Sequence, residues 1–205
     1  MRTFLPAVLF LVASGCGGRD APAIVSAPTR LAPSGPTIAH PDYANWSRFP
    51  IGTTVIHRSV TERGQAQTIS TETFRLSELN DGELVVERQN TTERNDGSYR
   101  AVNPPEPRRY KKAFSLPAGM TEDDFKKPSL NAKRTGEDTI DVLGTKYKTH
   151  VYQWKEHSEV GDMNVTVWYS DEMPGRLVKQ QIVIPSTETT TTDTLIEVTI
   201  PKAVK

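Results

Sequence analysis

The feature that most constrains the fold of this chain is the alternation of apolar and polar side chains near its C-terminus. Ile196, Val198 and Ile200 alternate with Glu197 and Thr199. Because successive side chains of a β-strand point to opposite faces of its sheet, this pattern predicts a strand with one buried face and one solvated face. Such strands are typical of an antiparallel sheet that is covered on one side.

The segment before it repeats the pattern, with Val178, Ile182 and Ile184 set against Lys179 and Gln181. Other short runs rich in β-branched and aromatic residues are separated by turn residues, which is typical of antiparallel strands. We predict strands at residues 53–60, 68–79, 83–92, 139–143, 147–156, 164–170, 177–184 and 194–200. Tight turns, which favour Gly, Asn and Asp, are predicted at Asn80-Asp81-Gly82, Asn95-Asp96-Gly97 and Leu143-Gly144-Thr145.

A flat sheet would leave its apolar face bare, so we expect the sheet to curl on itself or to be covered by a helix. The only helical candidate is residues 121–127, where Thr121 can cap and acidic residues favour a helix N-terminus. The proline-rich stretch 103–136 is otherwise predicted as a long loop. The predicted fold is therefore mainly β: a curved antiparallel sheet, an unclosed barrel with meander connections, one short helix and a long loop.

The N-terminus has the layout of a secretory signal. Arg2 precedes an apolar run at residues 4–12, and small residues follow it. The run is too short for a membrane-spanning helix, which needs about 20 apolar residues. The chain's only cysteine ends the sequence Ala13-Ser14-Gly15-Cys16, which resembles the lipobox of bacterial lipoproteins. The resemblance implies cleavage before Cys16 and acylation of its thiol.

Ala13 stands where that motif usually has Leu, and it also suits an ordinary signal peptidase. A soluble secreted protein with a free N-terminal thiol is therefore the alternative. After Cys16 the chain is rich in proline up to about residue 42, which predicts an extended linker. We expect three parts: a signal peptide at 1–15, a lipidated cysteine and proline-rich linker at 16–42, and a single β-rich domain at 43–205.

Because Gly17 follows the cysteine, the resemblance also implies sorting to the outer membrane, facing the periplasm. The lipid anchor would then be the contact with the membrane, since two acyl chains hold a protein stably. The 25 Lys and Arg residues balance 25 Asp and Glu residues, so charge gives no reason to expect a nucleic-acid partner. With no second cysteine in the sequence, the domain cannot form an internal disulfide.

Candidate catalytic and metal-binding residues are few. The closest pair of histidines, His150 and His157, lie an odd number of residues apart on one predicted strand, so they face opposite sides. No nucleophile-elbow, zinc-protease or phosphate-loop motif is found in the sequence, and Asp123-Asp124 and Asp171-Glu172 fit solvated turns. We predict no catalytic residue, no metal site and no cofactor.

Two further groups of residues allow a binding role or a plain structural one. A basic group in and near the long loop could contact anionic lipid headgroups, although the acidic residues 122–124 interrupt it: Arg108-Arg109-Tyr110-Lys111-Lys112, Lys126-Lys127 and Lys133-Arg134. Aromatic residues predicted to pack in the core or line a cavity are Trp46, Phe49, Phe74, Tyr152, Trp154 and Trp168.

Two C-terminal stretches, 136–154 and 167–179, resemble the LolA/LolB-like lipoprotein-carrier superfamily. In the second stretch a strand ending in Trp leads to an acidic turn, a proline and a return strand: Val167-Trp168-Tyr169-Ser170-Asp171-Glu172-Met173-Pro174-Gly175-Arg176-Leu177-Val178-Lys179. The resemblance implies an unclosed antiparallel barrel, capped by helix and loop, whose concave apolar face can hold an acyl chain. An uncharacterised family of secreted β-rich proteins is the other interpretation.

Three functions remain open from the sequence. The first is a non-enzymatic cell-envelope lipoprotein that binds an apolar ligand, a lipid or a partner protein on its curved sheet. The second is a structural or interaction lipoprotein with a filled core, which uses an exposed strand edge or the basic loop. The third is an enzyme with a noncanonical site. The sequence assigns no ligand-binding residue and names no protein partner.

Overall fold

The computed structural model describes residues 35–202, so Cys16, the predicted signal peptide and most of the predicted linker lie outside it. Within this range the chain is mainly β. The strands, in chain order, are β1 (Thr37–Ala39), β2 (Thr54–Arg63), β3 (Ala66–Leu79), β4 (Glu83–Arg94), β5 (Arg100–Val102), β6 (Glu106–Lys111), β7 (Ala113–Ser115), β8 (Lys133–Val142), β9 (Thr145–Ser158), β10 (Gly161–Tyr169), β11 (Leu177–Ile184) and β12 (Thr189–Thr199). The α-helices described are α1 (Pro41–Trp46) and α2 (Glu122–Lys126).

Ten of these strands form one antiparallel sheet that does not close within the described range. Their order is β5, β4, β3, β2, β12, β11, β10, β9, β8, and β6 also pairs with β4. The sheet is thus two meanders, β2 to β5 and β8 to β12, joined where the last strand pairs with β2. β1 and β7 form a separate two-stranded sheet. The predicted mainly β fold with a curved, unclosed antiparallel sheet is confirmed.

The sheet is strongly curled. β8 contacts β12 although β9, β10 and β11 separate them in the order of strands. Residues from both ends of the sheet also share one buried core: Tyr43, Trp46, Val55, Leu76, Leu84, Val86, Val142, Met173, Val178 and Leu195. The right-handed twist of β-strands accumulates across a wide sheet, so a sheet of this width curls round its core without help from many helices.

The predicted turns form where glycine and asparagine make them favourable. Gly97 and Gly144 adopt positive φ values of 71° and 84° at two hairpin tips. At a third tip, the side-chain oxygen of Asn80 accepts hydrogen bonds from the N–H groups of Gly82 and Glu83 at 2.9 and 2.8 Å. Such side-chain bonds mimic a backbone turn and set the register of the strands that follow.

Helix α1 covers one end of the core and is held against the loop between β10 and β11. The Asn45 amide donates to the Met173 carbonyl at 3.0 Å, and its oxygen accepts from the Gly175 N–H at 2.7 Å. The ring of Trp46 packs directly on Gly175, where a Cβ would lie 3.2 Å from the ring. The Pro-Gly turn singled out in the sequence is therefore a docking point for the first helix.

The faces predicted for the last strand were wrong for Ile196 and Ile200, which were expected to be buried. Leu195 is 1% exposed, whereas Ile196 and Ile200 are 36% and 51% exposed. The pairing with β2 shifts between Leu195 and Glu197, so Ile196 sits in a β-bulge. A bulge inserts one residue and restarts the alternation, which turns Leu195 and Val198 inward and leaves Ile196 on the surface.

Three further expectations needed correction. The stretch 103–136 is not one long loop, because β6, β7, α2 and the start of β8 lie in it. The helix predicted at 121–127 is confirmed as α2, with Thr121 and Asp124 forming a reciprocal capping box. A second helix, α1, was not predicted.

The end of the predicted linker belongs to the fold: β1 pairs with β7, and α1 begins before residue 43. Neither described helix is long and apolar enough to span a membrane.

Candidate functional site

The candidate site lies on the inner face of the sheet, which we define as the face that carries Val55, Leu76, Val86 and Leu195. At one end this face is filled by the core and covered by α1. Toward the other end the same strands continue beyond the core, and their inward side chains are mostly half-buried. This second part of the inner face is therefore the region where a ligand can meet the sheet.

A single row of side chains crosses the inner face from β9 to β3. The cross-strand partners, each directly opposite the next, are Trp154, Val165, Ile182, Thr191, Thr61 and Thr68. The first three are apolar and the last three carry hydroxyl groups. We call this the amphipathic row, because its character changes once, between β11 and β12.

The neighbouring row toward the core also changes from apolar to polar, but one strand earlier, between β10 and β11. Its partners in order are Tyr152, Val167, Gln180, Asp193, Ser59 and Ser70. One step deeper, Leu195 is followed by His57, Glu72 and Asn90. Apart from Gln180 on β11 and Leu195 on β12, these rows divide the inner face into an apolar half on β9, β10 and β11 and a polar half on β12, β2, β3 and β4.

The polar half contains two pairs of a basic and an acidic side chain. His57 is 3% exposed, and its Nδ1 lies 2.8 Å from an oxygen of Asp193. Arg88 contacts Glu72 through one Nη atom. Hydrogen bonds also join the hydroxyl of Ser70 to Asn90 and, at 3.0 Å, the hydroxyls of Thr61 and Thr191. Buried polar groups must be paired, and these pairings meet that requirement.

One donor in the polar half is left over. The Nε of Arg88 is buried and has no hydrogen-bond partner among the described residues. A buried N–H without an acceptor costs about 1–3 kcal/mol, so an acceptor supplied from outside would be favoured there. Arg88 is the cross-strand partner of Phe74, and it lies where the polar half of the inner face meets the core.

A group of tyrosines lies at the covered end of the apolar half. The rings of Tyr152 and Tyr169 meet edge to face at 6.2 Å, and the Arg176 guanidinium stands 5.1 Å from the centre of the Tyr169 ring. Burial raises the pKa of Tyr169 to about 12, against the opposing effect of Arg176, and burial also raises the pKa of Tyr110. The surroundings of these hydroxyls are apolar enough to keep them protonated.

The histidines do not come together. His150 contacts Arg134, and His157 contacts Asp162 in the exposed hairpin between β9 and β10. His40 caps α1, and His57 lies on the inner face, paired with Asp193. Within residues 35–202 no group of three His, Cys, Asp or Glu side chains could hold a metal ion.

The predicted aromatic residues lie in several places, and only some of them are in the core or on the inner face. Trp46 is in the core, and Phe74 packs against it. Tyr152 and Trp154 lie in the apolar half of the inner face. Trp168 points to the outer face, where the Lys179 ammonium stands 5.0 Å from its ring centre, and Phe49 lies beside Arg48.

The basic group near the long loop is largely matched by acidic side chains. Arg109 pairs with Glu83, and Lys126 with Glu122 and Asp123. Lys127 pairs with Asp124 and Arg134 with Glu137. Close carboxylates cancel most of the field that a basic patch would need to attract anionic headgroups.

Sequence reasoning missed the paired basic and acidic side chains of the polar half. His57 has the same strand parity as the apolar Val55, and Asp193 has the same parity as Leu195. Charged residues at inward positions of a strand were the available signal. They attracted no prediction because the bulge at Ile196 hides the true parity of the last strand.

The fold and this inner face define an unclosed antiparallel half-barrel with an amphipathic concave surface. No protein-family model matches the sequence, and no curated protein matches it. Three solved structures illustrate which proteins it is similar to in shape. A Bacteroides fragilis protein, described as exported and having a YmcC-like fold, has 10% identity and a TM-score of 0.46 over 74% of this chain and 97% of that one.

The lipoprotein LppX of Mycobacterium tuberculosis has 13% identity and a TM-score of 0.38, covering 80% of this chain and 94% of that one. A Vibrio parahaemolyticus domain, described as an outer membrane lipoprotein-sorting protein, has 7% identity and a TM-score of 0.21, covering 81% and 94%.

Proposed function

We propose that this protein is a non-enzymatic lipoprotein of the cell envelope that binds an amphipathic lipid on the inner face of its curved sheet. The amphipathic row carries the proposal. An acyl chain would lie on the half formed by Trp154, Val165 and Ile182, and the polar end of the lipid would meet the hydroxyls of Thr191 and Thr61.

The apolar half is more than an extension of the core. Trp154 and Ile182 are half-buried, and Val165, although buried, is not part of the main core cluster. Covering exposed apolar surface with an acyl chain gains about 25 cal/mol per Å², which favours binding at a concave surface that contacts the chain on several sides.

The sequence also supports a location at a membrane surface. A cysteine placed after a secretory signal is the expected site of a lipid anchor, which we propose at Cys16. The anchor would hold the domain at a membrane surface, in our proposal the outer membrane facing the periplasm. A protein tethered there has amphipathic lipids within reach, and the linker gives the domain room to move.

The test compares two substitutions that are neighbours in β11. Ile182→Thr places a hydroxyl in the apolar half of the inner face, and Val183→Thr makes the same kind of change on the outer face. Both keep a β-branched side chain, so both variants should fold. We expect Ile182→Thr to weaken lipid affinity about tenfold, equal to about 1.4 kcal/mol, and Val183→Thr to leave it unchanged.

Binding is measured by native mass spectrometry of the full acylated protein extracted from its own membrane, followed by titration of a fluorescent fatty acid. A lipid that co-purifies with the wild type and is lost from Ile182→Thr supports the proposal. Equal affinity of the two variants, or no lipid bound to the wild type at all, would contradict it.

A further inference from the structure

The charges of the polar half restrict the kind of lipid that the inner face can hold. Its deep rows carry two carboxylates, on Glu72 and Asp193, and the nearest basic side chains already contact them. Arg88 pairs with Glu72, and His57 pairs with Asp193. The site therefore has no surplus positive charge where a headgroup would lie.

An anionic headgroup fits this arrangement poorly. A phosphate or carboxylate placed at the hydroxyls of Thr61 and Thr191 would lie close to Asp193, its neighbour along β12. Like charges in a partly desolvated site repel more strongly than in water. Two inward-facing arginines lie near this end of the sheet: Arg94 is opposite Thr68, at the β4 end of the amphipathic row, and Arg63 is one step beyond Thr61. Both are exposed, so solvent and salt weaken their attraction for an anion.

The neutral polar groups of the site are best matched by a ligand that both donates and accepts hydrogen bonds. The hydroxyls of Thr61, Thr191 and Ser70 can do both. The carboxylates of the site only accept, whereas the unpartnered Nε of Arg88 only donates. A sugar hydroxyl serves each of these groups, because it carries one proton and two lone pairs. A fully ionised phosphate has no proton to offer the carboxylates.

We infer that the lipid held by the inner face carries an uncharged, hydroxyl-rich headgroup of the glycolipid type, seated on the polar half between Thr191 and Arg88. This inference rests on the proposed function, since it specifies the polar end of the lipid whose acyl chain occupies the apolar half.

The experiment uses three amphipaths with the same dodecyl tail, below their micellar concentrations: dodecyl-β-glucoside, dodecyl phosphate and dodecyltrimethylammonium. Each is titrated into the full acylated protein after removal of bound lipid. We expect the glucoside to bind at least tenfold more tightly than the phosphate and more tightly than the ammonium. Free glucose, which lacks the tail, should not bind at millimolar concentration.

The outcomes separate the two proposals. Equal binding of all three amphipaths, or tightest binding of the phosphate or the ammonium, overturns the glycolipid inference and leaves the lipid site in place. Failure of all three to bind overturns the proposed function. Binding of free glucose as tight as that of the glucoside also overturns the inference, because the site would then recognise a sugar without a lipid.

Two sets of variants test which groups select the headgroup. Replacing both hydroxyls, Thr61→Val with Thr191→Val, removes a hydrogen-bonded pair without leaving an orphan, so the fold should hold. We expect this double variant to lose about fivefold in glucoside affinity and little in phosphate affinity. The matched control on the outer face of β3, Thr71→Val with Thr73→Val, should lose neither.

The second set neutralises the carboxylates, with Glu72→Gln and Asp193→Asn together. Each amide keeps an acceptor for the partner of the original side chain. We expect affinity for dodecyl phosphate to rise at least fivefold, because the repulsion has been removed. An unchanged or lower phosphate affinity would show that these carboxylates do not select against anions and would overturn the charge argument.

Discussion

His40 begins helix α1 with its imidazole as the cap. Its Nδ1 accepts a hydrogen bond from the backbone N–H of Asp42 at 3.2 Å. The rings of Tyr110 and Phe114 lie 5.4 and 5.3 Å from the imidazole. Burial lowers the pKa of His40 below 6.5, and the charge of Asp42 opposes this only in part.

This arrangement predicts a loss of stability in mild acid. Between the lowered pKa of the folded state and about 6.5, the unfolded chain binds more protons than the folded chain, so the free energy of unfolding falls as pH falls. The contribution of His40 to the free energy of unfolding is complete above about pH 6.5. His40→Asn keeps a capping side chain that does not titrate.

Denaturant unfolding of wild type and His40→Asn at pH 7.5 and pH 5.5 measures the difference. We expect the wild type to lose more stability than the variant over this range. The exposed His157→Asn serves as control and should follow the wild type. Identical pH dependence of wild type and His40→Asn would show that His40 does not titrate differently on folding.

Asn45 is the second residue whose role depends on tertiary contacts. It is buried, and its amide pairs with both Met173 and Gly175 in the Pro-Gly turn. Asn45→Ala leaves the Gly175 N–H without a partner, whereas the Met173 carbonyl still accepts from the Arg176 N–H at 3.2 Å. The orphaned N–H should cost about 1–3 kcal/mol in denaturant unfolding. The exposed Asn164→Ala should change stability by less than about 0.5 kcal/mol. Equal effects would mean that water replaces the lost amide in the Asn45 variant.

At the scale of the element, β12 shows how a bulge changes what a strand buries. Leu195→Ala removes a fully buried side chain and should destabilise the protein by about 2–5 kcal/mol. Ile196→Ala removes a partly exposed one and should cost less than about 1 kcal/mol. Chemical denaturation of the two variants decides between the bulged strand and an uninterrupted one, because without the bulge the larger loss would belong to Ile196.

The same strand shows why element positions were easier to predict than faces. The segment 177–184 coincides with β11, and the other seven predicted strands all overlap observed ones. Strand position follows from composition and turn residues, which are local. The face of Ile196 depends on the register with β2, which is a non-local pairing.

Helix α1 was missed because a six-residue helix begun by His40 and Pro41 shows no helical period, and it is held by contacts to residues far along the chain.

At the scale of the whole molecule, Cys16 is expected to determine where the domain resides. We predict that Cys16→Ala moves the protein from the membrane fraction to the soluble fraction while the domain stays folded, because the acyl chains are lost. Fractionation in high salt, with mass spectrometry to confirm that the signal has been removed, measures this. Ser26→Ala in the linker is the control and should stay with the membrane. A processed Cys16→Ala protein that still sediments with membranes would contradict the prediction.

Local patterns in the sequence were enough to predict a mainly β chain, the positions of most strands and turns, and helix α2. They also carried the expectation of an export signal and of a modified cysteine. These are local properties, set by periodicity, capping residues and short motifs. Only the tertiary structure decided which side chains share the inner face.

Trp154, Ile182 and Thr61 meet in one row because four separate strand pairings bring them there, and no short window of the sequence contains all three. The pairing of His57 with Asp193 likewise joins residues from opposite ends of the domain. The physical reason is that strand register is fixed by long-range packing and by bulges, so the chemistry of a concave sheet surface exists only once the sheet has formed.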